Sequence, residues 1–398
     1  MNAFLHEWLN VLLRWAHVIA AIMWVGDSFL FMWMDSNLDR PREGRDGEVT
    51  GEMWMTHSGG FYEVVKHRTL RVLPERLHWF MWQSYSTWIT GVLLLTVVYA
   101  LGGRAMLLDA ASPLGHGAAV AVLFGSLLAG WLVYDLLCRV PGLRGVPFAA
   151  IGLALIGGVA WTLTHVLTPR AGFLLTGAMV GTIMTANVFF VIIPGQGRML
   201  AATREGRAPD PAHGARAKAR STHNHYLTLP VLLTMLSNHF PALYGGPSAW
   251  AVLVLLFVFG MGVKRFMNTG WRTPVALTTG TLVALAGAIA LTLPPGPGLA
   301  VRALATMPAV TDVEARAIVQ TRCVTCHATR PANEAFASPP AGVVFESPEQ
   351  MRTYAERIVY RVVETKTMPL GNLTGITEAE RRTLGAWAWQ QSHGAAGR

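Results

Sequence analysis

The chain has 398 residues, 52% of them hydrophobic and only 14% charged, with a formal net charge of +9 at pH 7. Its mean hydropathy is +0.37. This balance excludes a soluble enzyme built on one large core and describes a membrane protein, and the basic excess needs no nucleic-acid partner once its cations are placed along the chain.

A helix that crosses a bilayer core needs about 20 predominantly apolar residues. Such runs lie near 8–34, 78–101, 115–138, 146–167, 171–194, 226–243, 248–267 and 274–293. The expected fold is therefore all-α: a polytopic membrane helix bundle of about eight spans over residues 1–294. The first run reads as a signal anchor and carries Arg14, His17 and Asp27. The sixth is the weakest, since it contains Pro230 and the polar Ser237, Asn238 and His239, so seven spans is the rival count.

Lysine and arginine gather in alternate loops: between Arg40 and Arg76, at Arg139 and Arg144, between Arg198 and Arg220, and at Lys264, Arg265 and Arg272. The other loops carry only Arg104 and Arg170. The positive-inside rule makes the rich loops cytoplasmic and the N-terminus external, and an even number of spans returns the C-terminus to the same side.

Ionisable groups inside lipid are expensive, so each is a functional hypothesis. His17 lies too deep in the first span to reach the interface and requires a hydrogen-bond partner or a metal. Under this topology His116, His165 and His239 lie toward the outer side, and His57, His67, His78, His223 and His225 at the inner face. Two inner polar segments are unlike ordinary loops. The first, 53–80, carries His57, a Gly59-Gly60 hinge, Tyr62, Lys66, His67 and Arg68; the second, 220–240, carries His223, Asn224, His225 and Tyr226.

After the spans, a Pro/Gly-rich linker at 295–310 leads to a polar segment, 311–398. It contains CVTCH, in which Cys323 and Cys326 are spaced for thioether attachment of a c-type haem and His327 is placed to ligate its iron. A redox C-x-x-C or half a zinc site would need a thioredoxin-like context or a second ligand pair. Met368, in TKTMPLGN, is the expected second axial ligand; Met351 sits at helical apolar spacing and is expected to pack. His/Met ligation suits electron acceptance. Helical patterns flank the motif, the last opening on Thr377 with Glu380 three residues on as a capping box. Residues 311–398 thus resemble a small class I cytochrome c domain. Because c-type haem is attached in the bacterial periplasm, the expected location is the inner membrane with the N-terminus and this domain periplasmic. The third cysteine, Cys138, reads as a structural thiol.

If chemistry occurs at the inner face, electrons must cross about 30 Å of hydrocarbon to reach this haem. One or two b-type haems held by His17, His78 and His239 are the expected relay, the alternative being that these histidines are satisfied by polar partners on other helices.

WVGDSFLFMWMD (24–35), THSGGFYEVVKHR (56–68), THNHYLTLPVLLTMLSNHFP (222–241) and the terminal CVTCH with Met368 together resemble the bacterial membrane-bound urate hydroxylases, a urate oxidase membrane domain fused to a cytochrome c. The resemblance implies hydroxylation of urate to 5-hydroxyisourate in purine breakdown, with electrons passing to the chain's own haem and on to a soluble cytochrome c or a terminal oxidase. Urate is a planar anion. Arg68 and Asn224 are candidates to hold it, His57, His67, His223 or His225 to act as base, and Phe61 and Tyr62 to stack on it. Two other classes stay open: a quinol-to-cytochrome c protein or respiratory oxidase subunit, and a non-catalytic membrane-tethered cytochrome c.

Overall fold

The computed structural model describes residues 3–42, 49–67, 74–293, 303–333, 336 and 338–393. Arg68 and the first half of the linker, 295–302, lie outside these. The first unit is a helical bundle: α1 (Ala3–Ser36), α2 (Trp82–Leu95), α3 (His116–Leu137), α4 (Gly145–Val166), α5 (Pro169–Ala186), α6 (Ile193–Arg204), α7 (Pro211–Leu236), α8 (Ala249–Thr269) and α9 (Val275–Thr292). Its core runs between α3, α4, α5, α7 and α8, where Leu123, Ala160, Phe173, Leu175, Leu253 and Phe257 are fully buried. Outside it, apolar side chains such as Trp15, Ile22, Leu136 and Val283 are exposed, as lipid-facing surfaces require.

Among the described residues six helices are long and apolar enough to cross a membrane, the fourth of them being α5 and α6 joined through one π-helical turn. The other two expected spans take a different form. Helix α2 is short and continues as a π-helix over Thr96–Ala100. Helix α7 starts far earlier than the apolar run, at Pro211 with Asp210 accepting from the amide of Ala212 at 2.8 Å, so its first half is polar. Pro230 lies inside α7 without ending it, and its ring packs against Gly260 of α8, where no side chain competes for the space.

The all-α expectation is corrected by one antiparallel hairpin, β1 (Val49–His57) and β2 (Gly60–His67). Val64, Val65, Phe61, Tyr62 and Trp54 favour pleated backbone, and Ser58 and Gly59 close the turn with φ of 51° and 78°. What the sequence presents as a glycine hinge is thus a tight turn. Lys66 donates to Asp35 at 2.6 Å, fixing the hairpin to the end of α1.

The second unit has its own core. Helices α10 (Asp312–Arg322), α11 (Pro348–Thr353), α12 (Ala355–Ile358) and α13 (Glu378–His393) surround Trp387, Ala315, Val319, Met351 and Leu384. Capping boxes open α10 at Thr311 and Glu314 and, as expected, α13 at Thr377 and Glu380. Met351 is 1% exposed and packs. The unit sits on the bundle end formed by the loops near 104–110 and 241–245: the amide of Ala110 donates to the carbonyl of Gly371 at 2.7 Å, and Ser338 donates to Glu7 at 3.1 Å.

Candidate functional site

At the opposite end of the bundle, α7 directs three consecutive residues to three neighbours, because successive helical residues point about 100° apart. His223 meets α3 and α4. Its Nδ1 lies 2.8 Å from the hydroxyl of Tyr134, and its ring stacks on Phe148 at 4.5 Å and 15°. Asn224 meets α5 and the π-helical turn, donating to the carbonyl of Met184 at 2.8 Å and accepting from Asn187 at 2.9 Å. His225 meets α1 and α8, with Nε2 at 2.9 Å from Asn268 Oδ1 and its ring near Phe29.

Arg220 sets the direction of the first part of this network. A guanidinium only donates, so its 3.1 Å bond turns Asn187 Oδ1 toward it and leaves Asn187 Nδ2 to serve Tyr134 at 2.9 Å and Asn224. Tyr134, accepting from Asn187, gives its own proton to His223 Nδ1. The chain therefore runs Arg220 to Asn187 to Tyr134 to His223, and neutral His223 carries its proton on Nε2. Arg220 is anchored by Asp135 at 2.7 Å and lies 4.9 Å above the Tyr134 ring. Asn187, the hub, opens the π-helix Asn187–Ile192, a local widening of the helix of the kind that recurs at functional sites.

The second part is incomplete. Asn268 Oδ1 accepts from His225 Nε2, so Nδ1 is a bare acceptor, and it is buried without a partner among the described residues. Beside it Lys264 is 1% exposed, its ammonium 2.9 Å from the centroid of Phe29, with no ion pair among the described residues. Asp27 Oδ2, two residues before Phe29 on α1, and Gln83 Oε1 on α2 are also buried without partners. A buried cation with no counter-charge is costly, and a bound anion removes the cost.

His223, Asn224 and His225 are thus brought together with Lys264, Asn268, Tyr134, Asn187 and Arg220. His57 and His67 are not: both are exposed on the hairpin, where His57 lies 2.9 Å from the hydroxyl of Ser58. Phe61 and Tyr62 are likewise exposed there. His17 bonds through Nδ1 to the carbonyl of Thr87 and the hydroxyl of Thr90 on α2. His78 is exposed ahead of α2, and His239 is exposed in the 3-10 turn Ser237–His239 that follows α7. The sequence places Lys264 and Arg220 with the loop charges. Both are inside helices, since α8 continues to Thr269 and α7 begins at Pro211; the signal available was Lys264 and Asn268 one turn apart on an apolar helix.

In the second unit the backbone turns once at the motif, Cys326 and His327 amides both donating to the carbonyl of Cys323. His327 Nδ1 lies 2.9 Å from the carbonyl of Val343, which can only accept, so Nε2 is the free lone pair. Burial also holds His327 below the usual imidazole range, in the neutral form a ligand requires. Burial pushes the Cys323 thiol up to about 12, which disfavours a thiolate redox or zinc role. Among the described residues no group of three or more His, Cys, Asp or Glu is placed to hold a metal directly. Met368 packs against the core of this unit. The donor set, one ring nitrogen, one thioether and two thiols spaced for attachment, fits a covalently attached porphyrin rather than a bare ion.

Apolar helices around buried, hydrogen-bonded polar groups define a multi-pass membrane-type bundle. The chain belongs to the urate oxidase N-terminal family, whose model matches residues 3–293. At family level it is an oxidoreductase acting on urate. No curated protein and no solved structure matches.

Proposed function

We propose that the protein hydroxylates urate to 5-hydroxyisourate and passes the electrons to a c-type haem in its C-terminal unit, and from there to a soluble cytochrome c or terminal oxidase. Water supplies the new oxygen, and two protons and two electrons leave the purine. The observation that carries the reading is Lys264, buried without a counter-ion among the described residues beside the bare Nδ1 of His225, in a chain of the urate oxidase family. Lys264 holds the urate anion. His225 takes a ring proton at Nδ1, with Asn268 fixing its tautomer. The Arg220, Asn187, Tyr134 network holds His223 and Asn224 as the rigid wall on which this face of α7 rests.

Cys323 and Cys326 would hold the haem covalently, and His327 and Met368 would ligate its iron. When bound, such a group supplies a one-electron acceptor whose potential His/Met ligation raises. At about 1.5 Å per residue, Lys264 lies roughly 22 Å along α8 from Ala249, which is at the end nearest the second unit. His17, His78 and His239 would be the residues to hold one or two b-type haems, which when bound would supply one-electron carriers between the two ends of the bundle.

The test is anaerobic addition of urate to membranes while the haem c absorbance is recorded. Prompt reduction by urate is expected. Reduction by a quinol and not by urate refutes the proposal and favours a quinol-to-cytochrome protein; reduction by neither favours a tether.

A further inference from the structure

The strap that carries Met368 is held from two sides. From within its own unit, the Arg381 guanidinium, 4% exposed, donates through Nη1 to the carbonyls of Val362 and Met368, both at 2.7 Å, and through Nη2 to Asn372 Oδ1 at 3.4 Å. From the bundle side, Ala110 donates to the carbonyl of Gly371. Gly371 has φ of 55°, and a Cβ there would lie 2.7 Å from the carbonyl oxygen of Leu108 and 3.0 Å from that of Ala105. Lys366 and Asn372 also occupy left-handed backbone, at φ of 48° and 49°. Such positions persist in non-glycine residues only where the surroundings over-determine them.

Arg381 is placed to do that. Its nearest carboxylate in its own unit, Glu378, is 3.9 Å from Nε, and Asp109 of the bundle loop lies within electrostatic reach. The guanidinium makes its short hydrogen bonds to main-chain oxygens, with Glu378 only a long ion pair, and its fork ties Val362 to the strap at Met368 and Asn372.

We propose that Arg381 is a positioning residue that fixes the strap Lys366–Asn372 for two tasks at once: presenting the Met368 thioether on the side of His327, and presenting Gly371 to the bundle loop Arg104–Ala110. The first task rests on the haem reading above; the second does not. Electron entry to the second unit is thereby tied to the same strap that docks it.

The test uses the full-length protein and the variants Arg381→Gln and Gly371→Val. Hydrogen exchange of the peptide containing Ala110 reports docking, and the thioether-to-iron charge-transfer absorbance reports Met368 ligation. In R381Q, exchange at Ala110 is expected to rise about tenfold, as loss of one partnered amide implies, and the charge-transfer band to disappear while the haem stays attached. In G371V, Ala110 protection is lost and the band persists, because the Arg381 clamp is intact. Wild-type protection and an unchanged band in R381Q overturn the proposal. If R381Q does not fold, wild-type protection in G371V overturns it alone. Absence of covalent haem from the wild type refutes the haem reading instead, and the Ala110 comparison still decides the strap.

Discussion

Replacing Lys264 by Met separates binding from stability in opposite directions. The ammonium is 1% exposed and has no carboxylate partner among the described residues, so in the unliganded protein its desolvation is offset mainly by the ring of Phe29. A desolvated cation–π contact contributes about 2 kcal/mol, whereas an uncompensated buried charge costs several. Methionine of similar length removes the charge and keeps the packing, so K264M is expected to be about 1–3 kcal/mol more stable than the wild type. Urate binding loses its counter-ion. Removing one partner of a buried charge pair costs about 2–5 kcal/mol, a loss of roughly thirtyfold to several thousandfold in affinity. Thermal denaturation in detergent and urate titration of anaerobic membranes measure the two effects. A destabilised K264M that binds urate normally would refute the reasoning, because Lys264 would then be a structural cation with a partner.

Three further outcomes follow from the same contacts. Tyr134→Phe leaves His223 Nδ1 and one donor of Asn187 unpaired inside the bundle, and should cost about 1–3 kcal/mol in a detergent melt while slowing urate-dependent reduction. Trp387, fully buried and donating to Asp312 at 2.9 Å, anchors the second core; Trp387→Ala should cost about 3–5 kcal/mol there, read as protease sensitivity of that unit with the bundle intact. Glu378 is held below the usual carboxylate range by Lys366, and Glu380 by the amide of Thr377. Because both values are depressed on folding, their stabilisation is complete above the ordinary value of 4.5 and is lost as pH falls through the folded values. Melts of the second unit between pH 6 and 3 should therefore steepen downward, less so in Glu380→Gln; an equal slope in both proteins counts against the cap.

Long apolar runs marked most of the bundle, because lipid leaves a helix no other way to satisfy its backbone. In the second unit Thr377 with Glu380 marked the start of α13, and helical apolar spacing marked Met351 as a packing residue. What failed to show was whatever depended on tertiary contact. The hairpin was hidden because Gly59-Gly60 reads equally as hinge or turn until Asp35 takes Lys66. Lys264 and Arg220 read as topogenic charges because the boundary between loop and helix is set by capping and packing rather than by hydropathy alone. Of the candidate site, His223, Asn224 and His225 were legible as a cluster of unusual polarity; their partners on α1, α3, α5 and α8 come from distant sequence.

The fan of His223, Asn224 and His225 over three neighbours has an evolutionary consequence. A single inserted or deleted residue between Pro211 and Thr222 that shifted this part of α7 would rotate all three side chains by about 100° and break every bond of the cluster together. Substitutions at this site can be tried one at a time, but its length cannot drift. Among family members, the stretch from the start of α7 to these three residues should hold constant length even where its identities diverge, with length variation confined to the turn at 205–210.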